Sequence, residues 1–298
     1  MSSRPAVSFN FVDFWPNFSA ENSPFFELLR SSFSVTLSDS PDIVVYSVFG
    51  ERHRSYKCPK IFYSGECVRP NFDECDFAFT YDHLDDRRHC RLPLYTFFGA
   101  DKLAQPKGPF PICTAEKSEF CCFIVSEPKC SERNEFFLLL SRYKKVHSGG
   151  RFMNNIGGPI PRLVEGRSGK LEFMKQFKFA ICFENESYPG YTSEKLVQAM
   201  RVNTIPIYWG NPLVGREFNT KSFINCHEFA SFEDVITRVI EVDQNQELYR
   251  QMMMEPWFID GRMPDWVDPV KVRHKLCEVV EDLLGLNSST GNKSPFGA

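Results

Sequence analysis

Between residues 177 and 212 the chain reads FKFAICFENESYPGYTSEKLVQAMRVNTIPIYWGNP, and this stretch constrains the fold more than any other. An apolar run over 179–183, bounded by polar residues, reads as a buried strand. The Asn, Ser, Pro and Gly of 185–190 make a turn. Thr192 or Ser193 can then cap a helix with Glu194 in its first turn and with Leu196, Val197 and Met200 on one face. A second apolar run, 204–209, ends in Gly210, Asn211 and Pro212. The unit is strand, loop, helix, strand, with its polar residues gathered where the strand ends and the helix begins. Open α/β sheets bind ligands at that place. Lys195 adds an ammonium to the free N–H groups and positive dipole end of the helix, which suits an anion such as a phosphate. A surface helix with an ordinary capping sequence is the other reading of the same residues.

The rest of the chain alternates in the same way. Strands are predicted at 6–10, 34–37, 42–49, 60–64 and 76–80, with a helix over 25–33, which argues for a doubly wound sheet over residues 6–112. The loop after the first strand, VDFWPNF, holds aromatic residues that can stack on a sugar or plug the core. Pro106, Gly108, Pro109 and Pro111 mark a linker within 99–114. A second α/β unit opens with FCCFIV at 120–125, continues with a helix over 131–143 and a strand over 146–150, and has a Gly-rich, Arg-rich stretch over 148–167 that reads as a mobile loop near the ligand. A strand at 223–225, a helix from 231–234 and a closing helix over 269–284 follow, and the last dozen residues read as disordered.

Composition narrows the functions. A formal net charge of −3 gives no general attraction to nucleic acid or an anionic membrane, so any phosphate site must be local. Eleven cysteines without a C-x-x-C pair read as free, mostly buried thiols of a reducing cytosol. No signal peptide and no apolar run of transmembrane length is visible, so a soluble, cytoplasmic chain is expected, with peripheral membrane association left open. Asp82, Asp85 and Asp86 do not make a D-x-D metal motif and read as a solvated acidic loop, and the six histidines lack zinc-site spacing.

The stretch FENESYPGYTSEKL followed by TIPIYWGNP resembles the donor-binding signature of the α-1,3-fucosyltransferases, a family that includes α-1,3/4 members. The match runs without gaps over more than thirty positions, and weaker similarity extends over 44–258. The resemblance implies a fold of two Rossmann-like domains facing across a cleft, the GT-B type. On it, 1–112 would form the N-terminal acceptor-binding domain with the catalytic base, 113–268 the C-terminal GDP-fucose-binding domain, and 269–298 a closing helix and tail. It further implies an inverting, metal-independent transfer of fucose from GDP-fucose to the GlcNAc or Glc of a β-linked oligosaccharide acceptor, with no other cofactor. The chain resembles the soluble bacterial members more than the anchored eukaryotic ones, though it shows neither their heptad repeats nor their basic tail.

Several residues fall on matching positions. Glu66, at the end of IFYSGE, is by position alone a solvated loop glutamate or a carboxylate facing a crevice; the resemblance makes it the base. Arg133 in SERNEFF matches a phosphate-contacting arginine, and Arg151 in HSGGRFMNN is the rival for that role. Lys195 would neutralise the diphosphate, Glu194 would accept from ribose or fucose hydroxyls, Asn185 would fix a hydroxyl, and Tyr191 would pack on guanine or ribose. Glu186 reads as solvated. A transferase of the same architecture using another nucleotide sugar, or a binding protein without turnover, would share these features.

Overall fold

The structure is a computed structural model that describes residues 4–107, 117–164 and 167–286. Contacts divide the chain into two compact units: Met1–Thr80, Leu84–Leu92 and Asp268–Ala298 in one, Tyr81–His83 and Pro93–Val267 in the other.

In the first unit β1 (Ala6–Val12), α1 (Pro24–Arg30), β2 (Ser34–Leu37), β3 (Ile43–Tyr46), β4 (Lys60–Tyr63), β5 (Phe77–Thr80) and β6 (His89–Arg91) follow in sequence. The strands form one sheet in the order β2-β1-β3-β4-β5-β6, and every pair is parallel. Parallel strands are buried on both faces, which is why IVVY and FAFT are continuous apolar runs instead of alternating ones. In the loop after β1 the rings of Phe14 and Phe18 stack at 4.0 Å, with Phe11 and Trp15 against them. This loop is not a buried plug, because Trp15 remains 42% exposed.

The second unit contains β7 (Glu119–Phe123), α2 (Ser131–Leu140), β8 (Val146–Ser148), β9 (Leu163–Val164), β10 (Arg167–Ser168), α3 (Gly169–Met174), β11 (Phe177–Phe183), α4 (Glu194–Arg201), β12 (Ile205–Trp209), β13 (Ile224–Asn225), α5 (Phe232–Gln244) and α6 (Gln246–Met254). Its five-stranded sheet has the order β13-β12-β11-β7-β8, again all parallel. β11 is the middle strand and separates two cores. Phe179, Ile181 and Phe183 face one way, toward Phe136 of α2 and Val235 and Val239 of α5. Ala180 and Cys182 face the other, toward Leu196, Val197 and Met200 of α4. The adjacent Cys121 and Cys122 divide between the same two cores, so both thiols are buried. All ten cysteines among the described residues are free. The last helix, α7 (Pro269–Leu283), begins at an Asp268 cap and packs on α1 in the first unit.

Some sequence expectations need correction. The domain boundary expected after residue 112 falls outside the described residues, and 93–107 already pack with the second unit. The expected linker is not structureless where it is described: 3-10 turns at Leu94–Phe98 and Ala100–Ala104 bury Tyr95, Ala100 and Leu103. Part of the expected loop over 148–167 is ordered, since β9 and β10 pair antiparallel. Asp82 is buried, with its carboxylate accepting from His83 N, and Asp86 is paired with Arg88, so the acidic loop is only partly solvated. The last dozen residues lie outside the described residues.

Phe136 is fully buried and stacks on Phe183 at 4.8 Å. Phe136→Ala should lower unfolding free energy by about 3–5 kcal/mol, the cost of an unfilled aromatic site. Urea unfolding followed by circular dichroism measures this.

Candidate active site

The chain leaves β7 for β8 and then crosses back to β11, which lies on the other side of β7. The winding therefore reverses between β7 and β11, and the loops leaving their carboxyl ends flank a crevice. Arg133 is the third residue of α2, the helix that follows β7. Its Nη1 donates to Asn185 Oδ1 at 2.7 Å and its Nη2 to the Glu127 carbonyl at 2.5 Å, so the guanidinium ties the two loops together. Only 1% of the residue is exposed, and its Nε is buried with no hydrogen-bond partner among the described residues. Burial pulls its pKa below the usual range, against the opposing pull of Cys130, Glu184 and Glu127.

The second cation stands at the start of α4. Lys195 Nζ donates to Glu184 Oε2 at 2.8 Å and to Ser193 Oγ at 3.0 Å. Glu184, directly after β11, has no exposed surface, and it also accepts from Ser193 N at 2.8 Å and Ser193 Oγ at 2.5 Å. Ser193 is the N-cap residue, but its hydroxyl serves Glu184 instead of capping the helix, so the expected side-chain cap does not form. Burial depresses the Lys195 ammonium's pKa, yet the charges of Glu184 and Glu194 outweigh it and hold the group above its ordinary value. Glu194 lies 3.4 Å from Lys170 of α3. Desolvation pushes its carboxyl up, but Lys195 and Lys170 bring it down to about 2.

The loop between β11 and α4 is pinned by Asn211, which is fully buried: its Oδ1 accepts from Gly190 N at 2.6 Å and its Nδ2 donates to Thr192 Oγ1 at 3.1 Å. Arg133, Asn185, Glu194 and Lys195 thus gather at one end of the second sheet. Tyr191, expected to pack on guanine or ribose, lies at the start of this cluster's helix segment, two residues before Ser193. Its ring is 2% exposed and packs edge-on against Tyr81, with centroids 5.0 Å apart. Arg151 is exposed, and among the described residues none of the cluster's hydrogen bonds runs to it. Glu186 is exposed, as expected.

Glu66 belongs to the first unit, three residues past the end of β4, and is exposed. Ser64 fixes the turn, accepting from Glu66 N at 3.1 Å and donating to the Glu66 carbonyl at 2.9 Å. Burial raises the Tyr63 phenol's pKa, and the Glu66 charge raises it further, so the carboxylate lies near that ring.

Sequence reasoning missed the parts played by Glu184, Lys170 and Asn211. The signal for Glu184 was its place at a strand end beside a helix start carrying a lysine. Among the described residues no three His, Cys, Asp or Glu side chains are grouped to hold a metal. No helix among them is long and apolar enough to cross a membrane.

Residues 9–98 match the model of the alpha-(1,3)-fucosyltransferase FucT N-terminal domain, and residues 114–290 match that of the glycosyltransferase family 10 (fucosyltransferase) C-terminal region. The chain belongs to glycosyltransferase family 10. Among its relatives is the alpha-(1,3)-fucosyltransferase FucT of Helicobacter pylori, 30% identical over 275 residues that cover 79% of this chain and 56% of the relative. The chain thus spans little more than half of that protein. A GDP-fucose protein O-fucosyltransferase 3 of Xenopus tropicalis is 26% identical over 166 residues, 54% of this chain and 33% of the relative. Among solved structures, an alpha1,3-fucosyltransferase crystallised with GDP-fucose superposes with a TM-score of 0.78 at 26% identity, covering 98% of this chain and 94% of the other. The two parallel α/β units are accordingly the Rossmann-like units of a GT-B glycosyltransferase.

The lowered carboxyl of Glu194 makes a stability prediction. Its folded pKa, about 2, lies below the ordinary glutamate value, so its contribution is complete above pH ~5 and is lost as pH falls from there toward 2. Glu194→Gln should remove that part of the acid sensitivity. Acid unfolding curves of the two proteins should converge toward pH 2 and separate above pH ~5.

Proposed function

We propose that this chain transfers L-fucose from GDP-fucose to the 3-hydroxyl of GlcNAc or Glc in a β-linked, N-acetyllactosamine-type glycan. Inversion at the anomeric carbon and independence of a metal belong to this reading. The observation that carries it is the pair of fixed cations, Arg133 and Lys195, at the β7–β11 crevice of a family 10 chain. The likeness to a fucosyltransferase crystallised with GDP-fucose, over nearly the whole chain, supports that donor.

In the reaction Glu66 takes the proton of the acceptor hydroxyl. The oxygen attacks the anomeric carbon as the bond to the β-phosphate breaks, and GDP departs with one added unit of negative charge to be stabilised. Arg133 and Lys195 supply that stabilisation from positions already paid for in folding. Arg133, held across the two loops, is the arginine assigned to the diphosphate in preference to the exposed Arg151. Asn185 and Glu194 are assigned to donor hydroxyls. A single displacement needs one carboxylate, in contrast to the carboxylate pair of glycosidases.

The direct test incubates the protein with GDP-fucose, GDP-mannose or UDP-galactose and a panel of β-linked glycans and peptides, and measures nucleotide release. GDP release with GDP-fucose and a lactosamine acceptor is expected, undiminished by excess chelator. Release from another donor, transfer to peptide alone, or binding without release would each replace this reading, and loss restored by manganese or magnesium would end its metal independence.

Glu66→Gln keeps the shape of the side chain but cannot accept a proton. Turnover should fall by ~10²–10⁴-fold, the usual contribution of a general base, with GDP-fucose affinity nearly unchanged. The wild-type rate should rise with pH as the carboxylate ionises, and the variant should lack that limb. Near-normal turnover would remove Glu66 from the mechanism.

A further inference from the structure

We propose that Glu184 is the positioning residue of the donor end of the site: it holds the Lys195 ammonium and Ser193 in place for the diphosphate and keeps that ammonium protonated. The proposal rests on the donor reading above. It begins from an oddity of burial. A carboxylate with no exposed surface is costly unless its oxygens are matched by donors, and Glu184 is matched by three, all from the start of α4. The arrangement leaves no slack. A Cβ on Gly210, whose φ is +147°, would stand 2.4 Å from Glu184 Cγ, so the neighbouring strand's end closes over the side chain.

Lys195 needs such a partner. It is surrounded by Glu184 at the end of β11, Glu194 beside it on α4 and Arg133 on α2, with Lys170 of α3 behind Glu194. The thiols of Cys130 and Cys182 and the Tyr208 phenol also feel this cluster, and each has its pKa raised first by burial. Burial and Arg133 both favour a neutral Lys195; Glu184 is the foremost group opposing them. Without it the ammonium would lose its anchor and the larger of the two carboxylate charges, Glu184 and Glu194, that favour its protonated form.

The experiment titrates GDP affinity by calorimetry between pH 7 and 9 for the wild type, Glu184→Asp and Glu184→Gln. The guanine's own ionisation near the top of the range acts on all three alike. Glu184→Gln should bind GDP roughly tenfold more weakly at pH 7, and lose a further threefold to tenfold, about, relative to the wild type by pH 9. Glu184→Asp, charged but one methylene short, should lie between them. A purely structural role would lower the active fraction without moving the pH dependence. Coincident pH profiles for the wild type and Glu184→Gln overturn the proposal; if Glu184→Gln does not fold, coincidence of Glu184→Asp with the wild type does so. A wild type that binds no GDP would instead overturn the donor reading itself.

Discussion

The working end of the second unit follows from one buried charge. Glu184 sits where β11 stops, and water cannot reach it. The free-energy cost of an unpaired carboxylate there would be several kcal/mol, so the chain that follows must return donors to it. The turn over 185–190 brings α4 back at the distance that Ser193 and Lys195 need. Asn211 holds that turn from the β12 side, and a glycine precedes it because a side chain there would collide with Glu184. The position of Lys195 is thus a consequence of strand geometry and desolvation, more than of helix capping.

Much of the fold could be read from apolar runs. Strands buried on both faces produce continuous hydrophobic stretches, and IVVY, FAFT and the FAICF of 179–183 announce themselves in that way. Elements whose stability comes from tertiary contacts could not be read. The 3-10 turns around Tyr95 and Leu103 are short, lie among prolines and glycines, and are held by burial against α4. Charges placed at helix starts were legible, as those of Arg133 and Lys195 were. The packing of Tyr191 was not legible, because an aromatic beside a binding loop looks alike in sequence whatever ring it packs on, here that of Tyr81. Glu184 was overlooked because its chemistry depends on being buried, and an acidic residue next to Asn185 gives no sign of that.

The charges also show how a chain with a net charge of −3 gathers cations locally, as the proposed diphosphate site requires. Arg133, Lys170 and Lys195 stand against Glu184, Glu194 and Glu127, three cations to three carboxylates, so the cations are brought together while the cluster's charges remain matched. Pairing fixes the direction of each cation before a ligand arrives. On the proposed reading, little reorganisation is then left for the moment when charge builds on the leaving group.

The first unit uses the same device with different donors. Its winding reverses between β1 and β3, and there the buried Asp13, with φ 60°, follows β1. Asp13 accepts from Arg52 N at 3.0 Å, from His53 N at 2.9 Å, and its Oδ2 lies 2.7 Å from His53 Nδ1. A Cβ on Gly50, in the loop after β3, would lie 2.5 Å from its Oδ1. Each sheet thus ends its switch-point strand with a sunken carboxylate, turns backbone N–H toward it (two groups on Asp13, one on Glu184) and leaves a glycine on the neighbouring strand's loop. The difference lies in the side-chain donor. An imidazole stacked on Tyr46 at 3.9 Å completes the first arrangement and makes it a brace. A lysine completes the second, and its ammonium has one further proton to donate once Glu184 and Ser193 have each taken one. The same solution to desolvation therefore braces a loop in one unit and holds a lysine ammonium at a helix start in the other, where the proposed reading needs a cation.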